Sequence, residues 1–129
     1  MILHGRKISP GSAVGETLVT DMGISFFGGV DPLTGVVVEK GHTLEGQCIR
    51  GKVLVFPSGK GSTVGSYTLY RLKKGGNAPA AIVNAEAETI TAVGCIISDI
   101  PCVDHVPLDQ LTNGMKVRVD GETGMVEVL

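Results

Sequence analysis

The sequence predicts a β-rich α/β domain with a central βαβ unit and a C-terminal β-hairpin. Three observations carry this. Val53, Leu54, Val55 and Phe56 form an apolar, β-branched run closed by Pro57, and Ala80, Ala81, Ile82 and Val83 form a second. Such fully apolar runs suit strands buried on both faces of a parallel sheet, and the apolar spacing over 63–73 between them is helical. The last fifteen residues alternate apolar and polar on both sides of Gly121-Glu122-Thr123-Gly124, as the two arms of a hairpin do. Finally, nineteen glycines in 129 residues, about twice the usual ~7%, call for many tight turns joining short strands.

The elements follow in order. Residues 2–20 read as two short strands separated by the turn Ser9-Pro10-Gly11, the second showing alternation through Glu16-Thr17-Leu18-Val19-Thr20. Glycines and Asp31-Pro32 enclose Ile24, Phe26 and Phe27, so 23–35 is a loop pressed against the body of the protein. Val36-Val37-Val38-Glu39 reads as a strand, and 40–46 as a turn ahead of Gln47-Cys48-Ile49. After the helix over 63–73, Lys73 and Lys74 complement the negative end of its dipole, and the glycines that follow supply a left-handed cap. One or two helical turns are expected over 85–94, a buried strand at Cys95-Ile96-Ile97-Ser98, a turn away from the sheet over 100–104, and a short helical turn at 107–111. The βαβ crossover is expected to be right-handed. No internal repeat or linker interrupts residues 1–129, which are read as one domain.

Composition excludes several classes of function. A formal net charge of -2 and an aromatic fraction of 4% give neither the basic surface nor the stacking platforms of a nucleic-acid binder. No stretch approaches the ~20 apolar residues of a membrane helix, and the N-terminal residues lack the apolar region of a signal peptide; a cytoplasmic protein is expected. Cys48, Cys95 and Cys102 are odd in number and show no C-x-x-C pairing, so they read as small core hydrophobes and not as disulfides or metal ligands.

Chemistry concentrates in Ser58-Gly59-Lys60-Gly61-Ser62-Thr63-Val64-Gly65-Ser66, between the first βαβ strand and its helix. It is not a nucleotide P-loop, because Gly61 separates Lys60 from Ser62, and it is not the dinucleotide fingerprint, because Val64 stands where the third glycine belongs. The plain reading of Ser62 or Thr63 is an N-cap. One hydroxyl suffices for a cap, however, and four occur here with a lysine and no bulky side chain. A serine among free N–H donors at a helix N-terminus has its alkoxide stabilised, which suits a proton-abstracting base. Asp31 either opens a turn or offers a carboxylate to the same cleft. His42 is either a general base or ligand or a hydrogen-bonded structural group. The loop also fits a second class of function, a non-catalytic module that binds phosphate or a metabolite in an anion nest.

Asp31-Pro32-Leu33-Thr34-Gly35, His42, Gly51 through Pro57 and the loop from Gly59 to Ser66 together resemble the small subunit of the aconitase X family, over essentially the whole chain. The resemblance implies a swivelling β/β/α domain working as a separate chain. It implies a hydro-lyase which, in archaeal members, dehydrates (R)-5-phosphomevalonate to trans-anhydromevalonate 5-phosphate in the modified mevalonate pathway. A large subunit is implied as partner in a heterodimer, carrying a [4Fe-4S] cluster as Lewis acid for the departing hydroxyl, with no metal held by this chain. The aconitase serine loop, Gly-x-Gly-Ser-Ser-Arg-Glu, falls on Gly59 to Gly65, which makes Ser62 the proton acceptor, with Gly61, Thr63 and Lys60 as substrate contacts. The departures are Thr63, still a hydroxyl, and Val64, where aconitases carry a substrate-binding arginine; this loss fits a substrate other than a tricarboxylate, with Lys60 as the substitute anion contact.

Overall fold

The computed structural model describes residues 1–60 and 64–129. Among the described residues there are eight strands: β1 (Ile2–His4), β2 (Arg6–Ser9), β3 (Ser12–Val19), β4 (Val53–Phe56), β5 (Ala81–Asn84), β6 (Cys102–Asp104), β7 (Lys116–Asp120) and β8 (Met125–Val128). They form one sheet in the order β1-β8-β7-β3-β4-β5-β6-β2. The helices are a distorted turn α1 (Phe26–Gly29), α2 (Gly65–Lys74), α3 (Thr89–Ile97) and a 3₁₀ turn at Leu108–Gln110.

The long strand β3 belongs to both halves of the sheet. Ser12 to Glu16 pair antiparallel with β7, while Thr17 to Val19 pair parallel with β4. The two ends of the sheet, β1 and β2, are successive in the chain and separated only by Gly5, so the sheet turns back on itself there. Gly5 donates its N–H to Gly124 O at 2.7 Å, and a Cβ at this position would run into Asp104 O and press Val103 and Val106 at 2.8 Å. A glycine is therefore required where the two halves cross, and this crossing splits the first predicted strand into two.

The alternation along the buried strands separates two cores. Val53 and Val55 of β4, with Val83, Val103, Val117, Val119 and Val126, point between the sheet halves. Leu54 and Phe56, with Ile82 and Cys102, point toward the helices, where Leu69 and Leu72 of α2 pack in the same core. This gives three layers, β/β/α, as the fold class predicts. Burying Leu69 and Leu72 completely stabilises the α2 contact by about 1.5–3 kcal/mol each.

The predicted βαβ unit is present, with β4 and β5 parallel and in register from Val53–Ala81 to Phe56–Asn84. Helix α2 closes as expected on glycine: Gly76, at φ +75°, donates to Lys73 O, and Asn77 donates to Leu72 O, a Schellman motif. The C-terminal hairpin pairs Val117 with Val128 through Asp120 with Met125.

Four expectations are corrected. Cys95-Ile96-Ile97 is the C-terminal half of α3 and not a strand, with Thr91, Gly94, Cys95 and Ser98 buried at helical spacing and Ile96 and Ile97 facing outward. Residues 102–104 do not turn away but form β6, between β5 and β2. Val36 and Val37 make only isolated bridges, to Cys48 and Val30, in place of the strand expected over 36–39. Helix α2 starts at Gly65 with Val64 at the N-cap position, later than the Ser62 or Thr63 cap that was expected.

Candidate functional site

Both stems of the glycine loop lie at the carboxyl ends of the parallel strands β4 and β5, the usual position of ligand sites in α/β sheets. The entry stem is held on two sides. Lys60 N donates to Ile24 O at 2.9 Å, and Ile24 N donates back to Ser58 O at 3.3 Å, a short parallel bridge. On the other side Gly59 presses on the first turn of α3. A Cβ there would come within 2.5 Å of Glu88 Oε1 and collide with Thr91 Oγ1.

Glu88 is itself fixed. As the N-cap of α3 it accepts from Ile90 N at 2.9 Å, Thr91 N at 2.6 Å and Thr91 Oγ1 at 2.7 Å. The exit stem holds the same turn: Ser66 Oγ donates to Ile90 O at 2.7 Å, and Gly65 lies against the Ile90 side chain. One helical turn, Glu88 to Thr91, thus receives both arms of the loop.

The segment that pairs with the entry stem is fixed in turn. The Phe26 ring packs edge-on against Phe56, with centroids 5.9 Å apart and an interplanar angle of 69°, a contact contributing about 0.5–1.5 kcal/mol beyond burial. His42 lies beneath, nearly buried. Its Nδ1 accepts the Leu44 N–H at 3.0 Å, so its proton resides on Nε2, which donates to Gly23 O at 3.0 Å. With both nitrogens used in the fold, His42 acts as a brace, and the catalytic reading of it is set aside. Asp31 likewise opens a turn, its Oδ1 accepting Leu33 N at 2.9 Å.

Among the predicted site residues, Lys60 is brought to Glu39, with Nζ 3.1 Å from Oε2 and the lysine half exposed. Gly61, Ser62 and Thr63 lie outside the described residues. Helix α2 has no acidic residue in its first turn, so the positive end of its dipole is not neutralised from within the helix. Sequence reading missed Glu88, Thr91, Glu39 and Ile24. For Glu88 a signal existed: an acidic residue directly ahead of Thr-Ile-Thr at a helix start.

The chain's own metal-binding capacity is limited. Cys95 and Cys102 are fully buried, and hydrogen bonding to Cys102, then burial and the Cys102 charge, push the Cys95 thiol well up. Cys48 stands apart, donating weakly to Thr34 O at 3.5 Å. The only His, Cys, Asp or Glu trio with converging ligand atoms among the described residues is Glu86, Asp104 and His105. Arg6 already occupies it, donating to both Asp104 oxygens at 2.9 and 2.7 Å. These donor sets do not fit an iron–sulfur cluster.

A family model described as the aconitase X swivel domain matches residues 2–128. The chain belongs to the aconitase X swivel-domain family. It is similar to a protein described as the phosphomevalonate dehydratase small subunit of Thermococcus kodakarensis, at 58% identity over 100% of this chain and 97% of that one. A protein of the same description from Methanosarcina acetivorans is 56% identical, over 98% of this chain and 90% of that one. The fold superposes on a crystal structure of Thermococcus kodakaraensis aconitase X in its holo-form with a TM-score of 0.98, at 57% identity, covering 100% of this chain and 98% of that one. The likeness to the aconitase X swivel domain thus extends through sequence and fold. The description of the relatives as small subunits implies a larger partner subunit. No helix among the described residues is long and apolar enough to cross a membrane.

Proposed function

We propose that this chain is the small subunit of a phosphomevalonate dehydratase, a hydro-lyase of the aconitase X type. In this reading it supplies the proton acceptor, Ser62, to a site completed by a large subunit. The substrate is (R)-5-phosphomevalonate and the product trans-anhydromevalonate 5-phosphate. Ser62, as alkoxide, takes the proton from the carbon next to the one bearing the departing hydroxyl. Gly61, Thr63 and Lys60 contact the substrate, with Lys60 leaving or sharing Glu39 to meet its negative charge. The [4Fe-4S] cluster belongs to the large subunit, in keeping with cysteines here that are either fully buried or stand apart.

The observation that carries the reading is the clasp of both loop stems on one turn of α3. A loop built for solvent has no need of such anchoring, whereas a base that must meet a substrate held by another chain does. The N-terminus of α2, with no acidic residue in its first turn, supports an oxyanion nearby. The names of relatives at 52–58% identity, phosphomevalonate dehydratase small subunit, support this choice of substrate.

The test is Ser62→Ala in the reconstituted two-subunit enzyme. Turnover is expected to fall by about 10²–10⁴-fold, the range of a lost general base, while the subunits still co-purify. Turnover within a few-fold of the unsubstituted enzyme would end the assignment.

A further inference from the structure

Exposed apolar residues are distributed unevenly over this molecule. Of thirteen large apolar side chains exposed among the described residues, nine lie on the helix layer or the loops flanking α2. The other four, Met1, Ile2, Val14 and Leu129, lie on the strands or at the termini. Tyr67 and Tyr70 point outward from α2, at 68% and 39% exposure, and Ile96 and Ile97 from α3, at 52% and 45%. On a helix in a monomeric protein these positions are ordinarily polar, because only the inward stripe needs to be apolar.

The two helices form one surface. Gly94 of α3 lets them approach closely, since a Cβ there would lie 2.6 Å from Leu69 Cδ1 and 3.2 Å from Ser66 Cα. Tyr70 and Ile97 share the walls of a groove of about 280 Å³ on one side of α2. On its other side Phe27, Val38 and Arg71 line a groove of about 320 Å³. The apolar band therefore crosses α2 and starts beside the stems of the glycine loop.

We infer that the outer face of α2 and α3, with its two flanking grooves, is the docking surface for the large subunit. This rests on the proposed function in one respect: a loop that works on a substrate held by another chain must be bordered by the surface which that chain covers. The face selects the chemistry of its partner. Its centre is aromatic and branched aliphatic, which suits the apolar core of a lasting interface. Its rim at the end of α2 carries Arg71, Lys73 and Lys74, against Asp31 and Asp99 in the two grooves, so the opposing surface is apolar with an acidic border.

The experiment uses the complete chain and its large subunit. Tyr67→Glu and Ile96→Glu are each expected to weaken subunit association at least about tenfold, while Val14→Glu on the sheet side changes it less than about threefold. Association within threefold for both helix-face variants, or an equal loss for Val14→Glu, would overturn the proposal. A measurement on the unsubstituted protein guards against misfolded variants. Tyr67 and Tyr70 are the only tyrosines in the chain, and oxidative footprinting read by mass spectrometry is expected to show both protected several-fold in the complex. Unchanged labelling of both would also overturn it, as would a homodimer of the free chain that buries this face and persists with the large subunit bound. Because Ser62→Ala is read on turnover and these variants on association, the failure of either proposal leaves the other standing.

Discussion

Gly59 stands so close to Glu88 that an added Cβ would come within 2.5 Å of the Oε1 oxygen. That oxygen cannot retreat, because it also accepts the Thr91 N–H and hydroxyl. The sole substituent tolerated at this point of the loop stem is hydrogen.

Gly59→Ala is therefore expected to displace the entry stem of the loop. Forcing a methyl group into a filled site costs about 1–3 kcal/mol. A displacement of the order of 1 Å at a reacting group lowers turnover by up to about 10²-fold. Thermal unfolding and steady-state turnover of the reconstituted enzyme, measured on the same variant, check both figures. Full activity would show that the stem does not position the loop.

Glu88→Ala removes the cap of α3 and leaves two backbone N–H groups without their partner. A cost of about 0.5–2 kcal/mol follows for the cap, to be read as a lower midpoint in denaturant unfolding with an unchanged slope. Because the same carboxylate backs Gly59, turnover is expected to fall further than the loss of stability explains.

Acid sensitivity is expected from Asp104. Burial alone would raise its pKa, but hydrogen bonds from Arg6 and from the Ala87 N–H, with the charges of Arg6 and His105, outweigh burial and bring it below the ordinary carboxylate range. The unfolded chain thus takes up this proton first, at about 3.9. The contribution is full above that pH and disappears as pH falls through the lower folded value. The unfolding temperature should drop on acidification below about pH 4, and Asp104→Asn should flatten that part of the profile.

The cysteines give a chemical test of the buried core. Cys95 and Cys102 have no exposed surface, and the Cys95 thiol is held well above its ordinary pKa, whereas Cys48 is partly accessible. A maleimide is expected to label Cys48 alone in the folded protein, and all three cysteines after denaturation, as mapped by peptide mass spectrometry. Rapid labelling of Cys95 or Cys102 in the native protein would contradict the packing described.

The misreadings of the chain share one physical origin. Cys95-Ile96-Ile97 has β-branched character, and propensity alone favours a strand. The helix forms because Gly94 meets Leu69 and Ser66 of α2, with Thr91, Cys95 and Ser98 on the same face. Val36-Val37-Val38 has the composition of a strand but finds only isolated bridging partners. Cys102, Val103 and Asp104 were too brief a run to signal a strand, and it is pairing with β5 and β2 that makes them one.

The sequence by itself determined the βαβ unit, the C-terminal hairpin, the glycine closure of α2 and the family, because each rests on local periodicity, turn chemistry or an unbroken motif. It also singled out the loop around Ser62 by composition. Only the tertiary structure decided that His42 is a brace, that Lys60 faces Glu39, and that Glu88 receives the loop. Those relations join residues 19 to 29 positions apart, across separate elements. No local pattern encodes such contacts; they exist once the sheet has closed at Gly5 and the helices have packed against it.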